Sequence, residues 1–105
     1  MRQGEIWVHD RKAGMLTENE EGYQFQYDTK YLSLQDATPV SLTLPLQEMA
    51  FRSEHLFPFF DGLIPEGWLL DIAQKNWKLN PRDRMELLLA TCRDCIGNVS
   101  VIANE

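Results

Sequence analysis

The chain has 105 residues, 44% of them hydrophobic and 25% charged, with a net charge of −6 at pH 7 and a pI of about 4.8. That length and composition predict one globular domain spanning residues 1–105, and the acidic balance argues against binding a phosphate backbone directly. The sequence has no run of 18 apolar residues to span a membrane and no apolar signal region after Met1, which points to the cytoplasm.

Residues 4–10 alternate, with Ile6 and Val8 on one face and Trp7 and His9 on the other, and read as a strand. Residues 11–14 read as a turn and Met15-Leu16-Thr17 as a short second strand. Residues 18–22 form an acidic loop closing on Gly22. Tyr23-Gln24-Phe25-Gln26-Tyr27-Asp28 is the clearest strand, with aromatics at every second position. Three short strands joined by tight turns predict an antiparallel meander.

Residues 29–36 suggest a helical turn around Tyr31, Leu32 and Leu34. Ser41-Leu42-Thr43-Leu44-Pro45-Leu46 alternates again and reads as an edge strand, with three leucines on one face and Pro45 near its end. Residues 47–54 show no period and read as a polar surface loop. Helices are expected at 55–60, with Pro58 in the first turn, and at 65–77. A third is expected after the N-cap Asn80, with Pro81 at its first position, Asp83 at its third and a stripe of Met85, Leu88 and Leu89. Residues 98–102 form a last strand, Val99 and Val101 on one face.

Strands, then helices, then a strand make this an α+β domain: a small antiparallel sheet with helices packed on one side. Phe25 or Tyr27, Leu42, Leu44, Phe60, Leu88 and Val101 are expected in its core.

Catalytic chemistry finds little support. Cys92 and Cys95 have CxxC spacing, but the pair follows a helix instead of opening one, and no second pair completes a zinc site. Small buried hydrophobes beside a turn are the plainer reading, with a small oxidoreductase as a weaker alternative. His9 and His55 lack a neighbouring acid–base constellation in the sequence. Glu18, Glu20 and Glu21 read as a solvated charge run. The six glycines form no phosphate-cradling loop. No catalytic residue, metal or cofactor is expected; a binding module fits better than an enzyme.

Three motifs carry a resemblance. Leu42-Thr43-Leu44-Pro45-Leu46 resembles an LSxSLPL signature, the segment from Phe59 to Gly67 resembles FFxNLLPEG, and Arg93-Asp94-Cys95-Ile96-Gly97-Asn98 resembles GxDxxGA. In this order and spacing they resemble the N-terminal subdomain 1 of HipA-like serine/threonine kinases, toxins of toxin–antitoxin modules. Gly62 stands where the pattern has Asn, Cys92 where glycine is common, and Asn98 where it has Ala. The sequence ends at Glu105, where HipA-like kinases continue into their kinase core. A free-standing version resembles the HipS family of tripartite HipBST modules. That resemblance implies an antitoxin that binds a HipT-type kinase toxin, with a HipB-type DNA-binding protein in the same complex. The alternative is a structural subdomain of a HipA-like kinase with no inhibitory activity of its own.

A partner surface is expected around the turn that opens the second helix, at Trp68, Glu66, Gly67, Asp61 and His55. If the helix starts at Pro65, then Leu69, Ile72, Ala73 and Trp77 share the core face, and Trp68 lies about 100° from Leu69 on its flank. Trp68 then either folds over Ile72 to seal the core edge or reaches a partner as an interface anchor. In the family pattern the residue after PEG is usually polar, so a bulky aromatic there is a departure.

Overall fold

The computed structural model describes residues 2–64, 83–91 and 99–104. Within them are five strands and three helices: β1 (Arg2–Val8), β2 (Arg11–Asn19), β3 (Gly22–Tyr27), α1 (Thr29–Leu32), β4 (Phe51–Ser53), α2 (Pro58–Asp61), α3 (Arg84–Thr91) and β5 (Val99–Asn104). The sheet is antiparallel throughout, in the order β4-β3-β2-β1-β5. The last strand of the chain therefore returns beside the first, pairing Ile6 with Val101 and Val8 with Val99.

Period-2 alternation decides which face is covered. Ile6 and Val8 of β1, Leu16 of β2, Phe25 and Tyr27 of β3, and Val99 and Val101 of β5 are all buried. They form one cluster with Tyr31 of α1, Phe60 of α2 and Met85, Leu87 and Leu88 of α3. Phe60 sits edge-on to Phe25 at 5.4 Å, to Phe57 at 6.1 Å and to Phe59 at 5.2 Å. Such edge-to-face pairs add about 0.5–1.5 kcal/mol each beyond area burial. α2 is only one turn long; Pro58 occupies its first position, where a missing N–H is harmless. Its place is held by Phe60, not by helix propensity.

The turns differ from the expectation drawn at residues 11–14. The β1–β2 turn is His9-Asp10, and His9 adopts φ 57°, a left-handed conformation uncommon for a residue with a Cβ. Residues 11–14 belong to β2. Ala13 is an extra residue there: Ile6 pairs with Gly14 but Trp7 pairs with Lys12, a β-bulge. The freed Ala13 carbonyl accepts the Asp28 N–H at 2.8 Å, tying the end of β3 back to β2. Gly14 is required beside it, since a Cβ would collide with the Gln26 carbonyl oxygen. At the β2–β3 turn, the Asn19 Oδ1 accepts the N–H of Glu21 at 2.9 Å and of Gly22 at 3.1 Å. Glu18 thus lies in a strand, and only Glu20 and Glu21 form the acidic turn.

Two expectations about the segment between α1 and α2 are overturned. Residues 41–46 do not form a strand. Apart from the Ser41–Leu44 bridge they are irregular, and Leu42 is 97% exposed while Leu44 is buried. The hydrogen bond from Leu44 N–H to the Ser41 carbonyl at 3.1 Å closes a four-residue turn that places Leu42 and Thr43 at its apex. Leu42 is not a core residue. The second correction is at residues 47–54, where Phe51–Ser53 forms the edge strand β4, Phe51 pairing with Phe25. The other expected core residues, Phe25, Tyr27, Leu44, Phe60, Leu88 and Val101, are buried.

Helix α3 begins at Arg84. Asp83 precedes it and accepts the Glu86 N–H at 3.1 Å, the geometry of an N-cap and not of a third helical residue. The expected cap at Asn80 and Pro81, the 65–77 helix and the Cys92–Cys95 pair lie outside the described residues.

The irregular segment after α1 is fastened by two phenols. The Tyr27 hydroxyl accepts the Val40 N–H at 3.0 Å and donates to the Leu44 carbonyl oxygen. The Tyr31 hydroxyl donates to the Thr38 carbonyl at 2.6 Å and accepts the Thr38 N–H at 3.1 Å. Burial pushes the Tyr27 phenol above its ordinary pKa, against the Val40 N–H that favours phenolate, so the donating proton is retained. Tyr27→Phe leaves the buried Val40 N–H and Leu44 carbonyl without this partner. The expected cost is about 1–3 kcal/mol, read as a lower urea midpoint at unchanged slope, with faster amide exchange at Val40.

A second long-range tie joins β1, β2 and α3. The Arg2 guanidinium donates to both carboxylate oxygens of Asp83, at 2.7 and 2.8 Å, and through Nε to Glu18 at 2.6 Å. The hydrogen bonds from Arg2 hold the Asp83 carboxyl below the ordinary carboxylate range, with desolvation opposing. A carboxyl depressed in the folded state contributes stability that is present above its unfolded pKa of about 3.9 and lost as pH falls through the folded value. Asp83→Asn is therefore expected to lower stability at pH 7 and to flatten its decline below about pH 4, measured by denaturant unfolding across pH 2–7.

Candidate functional site

Several charged side chains gather around an open cleft between β3, the segment after β4, α2 and the start of α3. Tyr23, Glu54, His55, Leu56, Pro58, Asp61 and Arg84 line about 540 Å³ of it. The sequence explains the construction. β4 stops at Ser53, whose Oγ accepts the His55 N–H at 3.3 Å and turns the chain outward. Leu56 and Phe57 then dive into the core, and Pro58 starts the helical turn that carries Asp61 at its end. His55 is left exposed on the rim, and burial, with Glu18 as a lesser contribution, pushes the Tyr23 phenol up.

Asp61 and His55, both expected at a partner surface, therefore line the same cleft. Asp61 is engaged within the domain: its carboxylate accepts the Arg84 Nε–H at 2.6 Å, joining α2 to the first turn of α3. Both side chains remain partly exposed, so the pair is solvent-screened. Trp68, Glu66 and Gly67 lie outside the described residues. Arg84 was not singled out in the sequence. An ion pair spanning 23 residues leaves no local pattern, and only the packing of α2 on α3 brings the two together.

The arrangement suits recognition more than reaction. The cleft mixes two carboxylates, one guanidinium and one imidazole around apolar walls. Among the described residues no group of three or more His, Cys, Asp or Glu side chains converges as a metal site. His9 sits in the β1–β2 turn, away from this cleft, beside Asp10, Arg11 and Asp36. No helix among the described residues is long and apolar enough to cross a membrane.

A family model described as the HipA N-terminal domain matches residues 4–102. The chain belongs to the HipA N-terminal domain family. Its fold is similar to a solved structure described as the N-terminal domain of HipA toxin, with a TM-score of 0.76 and 30% identity, over 100% of this chain and 94% of that one. A Haemophilus influenzae protein described only as uncharacterized is 30% identical over 101 residues, 96% of this chain and 92% of that protein. A Sinorhizobium fredii protein named "Putative kinase Y4mE" is 25% identical over 101 residues, but those residues make up only 24% of it. The HipA N-terminal domain is not itself the catalytic part of such a protein, and the likeness extends to none of the kinase's remaining length.

The Asp61–Arg84 pair and Phe60 contribute to this domain on different scales. Asp61→Ala is expected to cost at most about 1 kcal/mol, as exposed pairs do, whereas Phe60→Ala, which empties the centre of the aromatic cluster, is expected to cost about 3–5 kcal/mol. Thermal unfolding of the two variants side by side checks the contrast.

Proposed function

We propose that this chain is an antitoxin that binds and neutralises a HipT-type, HipA-like serine/threonine kinase toxin within a HipBST complex, with a HipB-type DNA-binding protein as the third member. The reading rests above all on the membership of residues 4–102 in the HipA N-terminal domain family. The Haemophilus relative supports it, since the match takes up 92% of that protein: there the domain stands with little else attached. A domain cut from the kinase architecture and supplied as its own chain can occupy the surface that the joined domain occupies, and so control the kinase. Catalysis by the chain itself forms no part of the proposal, and its place of action is the cytoplasm.

The partner surface is proposed to comprise Asp61 and His55 of the cleft together with Trp68 as its anchor, and Glu66 and Gly67 shaping the approach. Tryptophan is enriched among interface hot spots, where truncation costs about 2 kcal/mol or more. Asp61 contributes only if its bond to Arg84 is shared or exchanged on binding.

A second reading has its own support. The match to "Putative kinase Y4mE" covers 24% of that protein, the relation expected of a structural subdomain within a longer kinase. Co-expression with a HipT-type kinase separates the two. On the antitoxin reading the chain co-purifies with the kinase and suppresses its toxicity, and Trp68→Ala folds normally but fails to neutralise. A kinase that stays toxic and unbound in the presence of this chain supports the structural reading instead.

A further inference from the structure

The segment between α1 and β4 carries an observation that the cleft does not absorb. Leu42 is 97% exposed and Met49 77% exposed, both large aliphatic side chains in open solvent. Isolated exposed leucines are common, but this one is built into position. It occupies the apex of the turn closed by the Ser41–Leu44 hydrogen bond. Both flanks of that turn, Val40 and Leu44, are held by the single hydroxyl of Tyr27. The Ser41 hydroxyl braces the apex from inside, accepting the Thr43 N–H at 3.3 Å. Farther on, the Gln26 side chain donates to the Glu48 carbonyl at 3.1 Å. Adjacent residues of β3 thus fasten the segment at both ends. Turn apices ordinarily carry Gly, Asn, Asp or Ser; here a rigid frame displays a leucine that contributes nothing to the core.

The electrostatics narrow what can cover it. Residues 37–47 contain no charged side chain, in a chain that is 25% charged. Depletion of charge around an aliphatic apex is the composition of an interface centre. No Lys or Arg occurs between Lys30 and Arg52, and the chain carries a net −6, so neither nucleic acid nor an anionic membrane surface is attracted. A second copy is disfavoured too. Two chains of −6 repel, and the exposed apolar side chains of the segment, Leu34, Leu42, Leu46 and Met49, fall well short of the roughly 800 Å² per partner of a stable interface. What fits is an uncharged, apolar pocket on a different protein.

We infer that the segment from Val40 to Glu48 is a preformed docking loop, and that Leu42 inserts into an apolar pocket on the kinase proposed above. This rests on the kinase-binding reading and adds a contact surface separate from the Asp61–His55 cleft. Hydrogen bonds from Gln26 and Tyr27 already hold the loop, so binding has less conformational entropy to remove there.

The test uses the full chain and a HipT-type kinase, with affinity measured by titration for wild type, Leu42→Asp and Leu42→Met. The expected result is a loss of about tenfold or more in affinity for Leu42→Asp, near-wild-type binding for Leu42→Met, and an unchanged unfolding midpoint for both. Wild type and Leu42→Asp binding the kinase equally overturns the docking loop and leaves the antitoxin reading standing. Failure of wild type itself to bind removes that reading and the loop's role with it. A wild-type chain that dimerises alone, or floats with phosphatidylcholine–phosphatidylglycerol vesicles, and loses this in Leu42→Asp, assigns the leucine to another occupant and also overturns the inference.

Discussion

Tyr27 is the residue through which the sheet, α1 and the irregular segment after it are joined. Its ring packs edge-on to Phe25 at 4.8 Å and stacks on Tyr31 at 6.1 Å, so it belongs to the core. Its hydroxyl reaches out of that core to two backbone groups of a segment with almost no regular structure of its own. Backbone polar groups buried without a partner are expensive, and an irregular segment lying on a core has many of them. The phenol resolves this: one end is apolar enough to be buried, the other satisfies a donor and an acceptor at once. Tyr31 repeats the device four residues later at Thr38. Among the described residues no buried side-chain polar atom lacks a hydrogen bond.

Where sequence reasoning worked, it worked through period. The aromatics of β3, the Ile6–Val8 alternation of β1 and the Val99–Val101 pair of β5 each commit one face of a strand to burial, and the α+β arrangement follows from their order. It failed where a pattern of the same kind arises for another reason. Leu42, Leu44 and Leu46 alternate like a strand, yet Leu44 is the residue the tyrosine clamp draws inward while Leu42 caps a turn. Five residues between Pro39 and Pro45 offer too little length to separate a strand from a clamped turn. β4 erred in the opposite direction. Three residues carry no measurable period, and Phe51 is in the sheet because Phe25 is there to pair with it. The site shows the same division. Asp61 and His55 were legible beside the aromatic run, but Arg84 and the cleft itself exist only once α2 meets α3.

The charged contacts fasten the periphery of this core. Arg2 joins the start of β1 to Glu18 near the end of β2 and to the cap of α3, so one side chain fixes the helix against the sheet margin. Asp83 serves α3 twice, accepting its Glu86 N–H and holding the guanidinium. These groups are partly exposed, and their energetic contribution is modest beside the aromatic cluster. Their value lies in direction: an eight-residue helix with little intrinsic stability is oriented by its cap and its packing. That orientation in turn brings Arg84 to Asp61.

Core and candidate binding surfaces are therefore built from different residues. Phe25, Phe60, Leu16, Met85, Leu88 and Val101 close the apolar cluster among themselves. His55 and Leu42 lie outside it, and Asp61 touches it only through the helix that carries Phe60. Among the described residues, the exposed groups of these surfaces contribute little to folding. For a chain proposed to act as a separate antitoxin this separation is a physical requirement. A domain whose core opened onto the kinase surface would lose its fold whenever it left the complex. Among the described residues the aromatic layer is closed by the chain's own side chains, so the rim residues can be altered one at a time and their effect on binding measured against the same core.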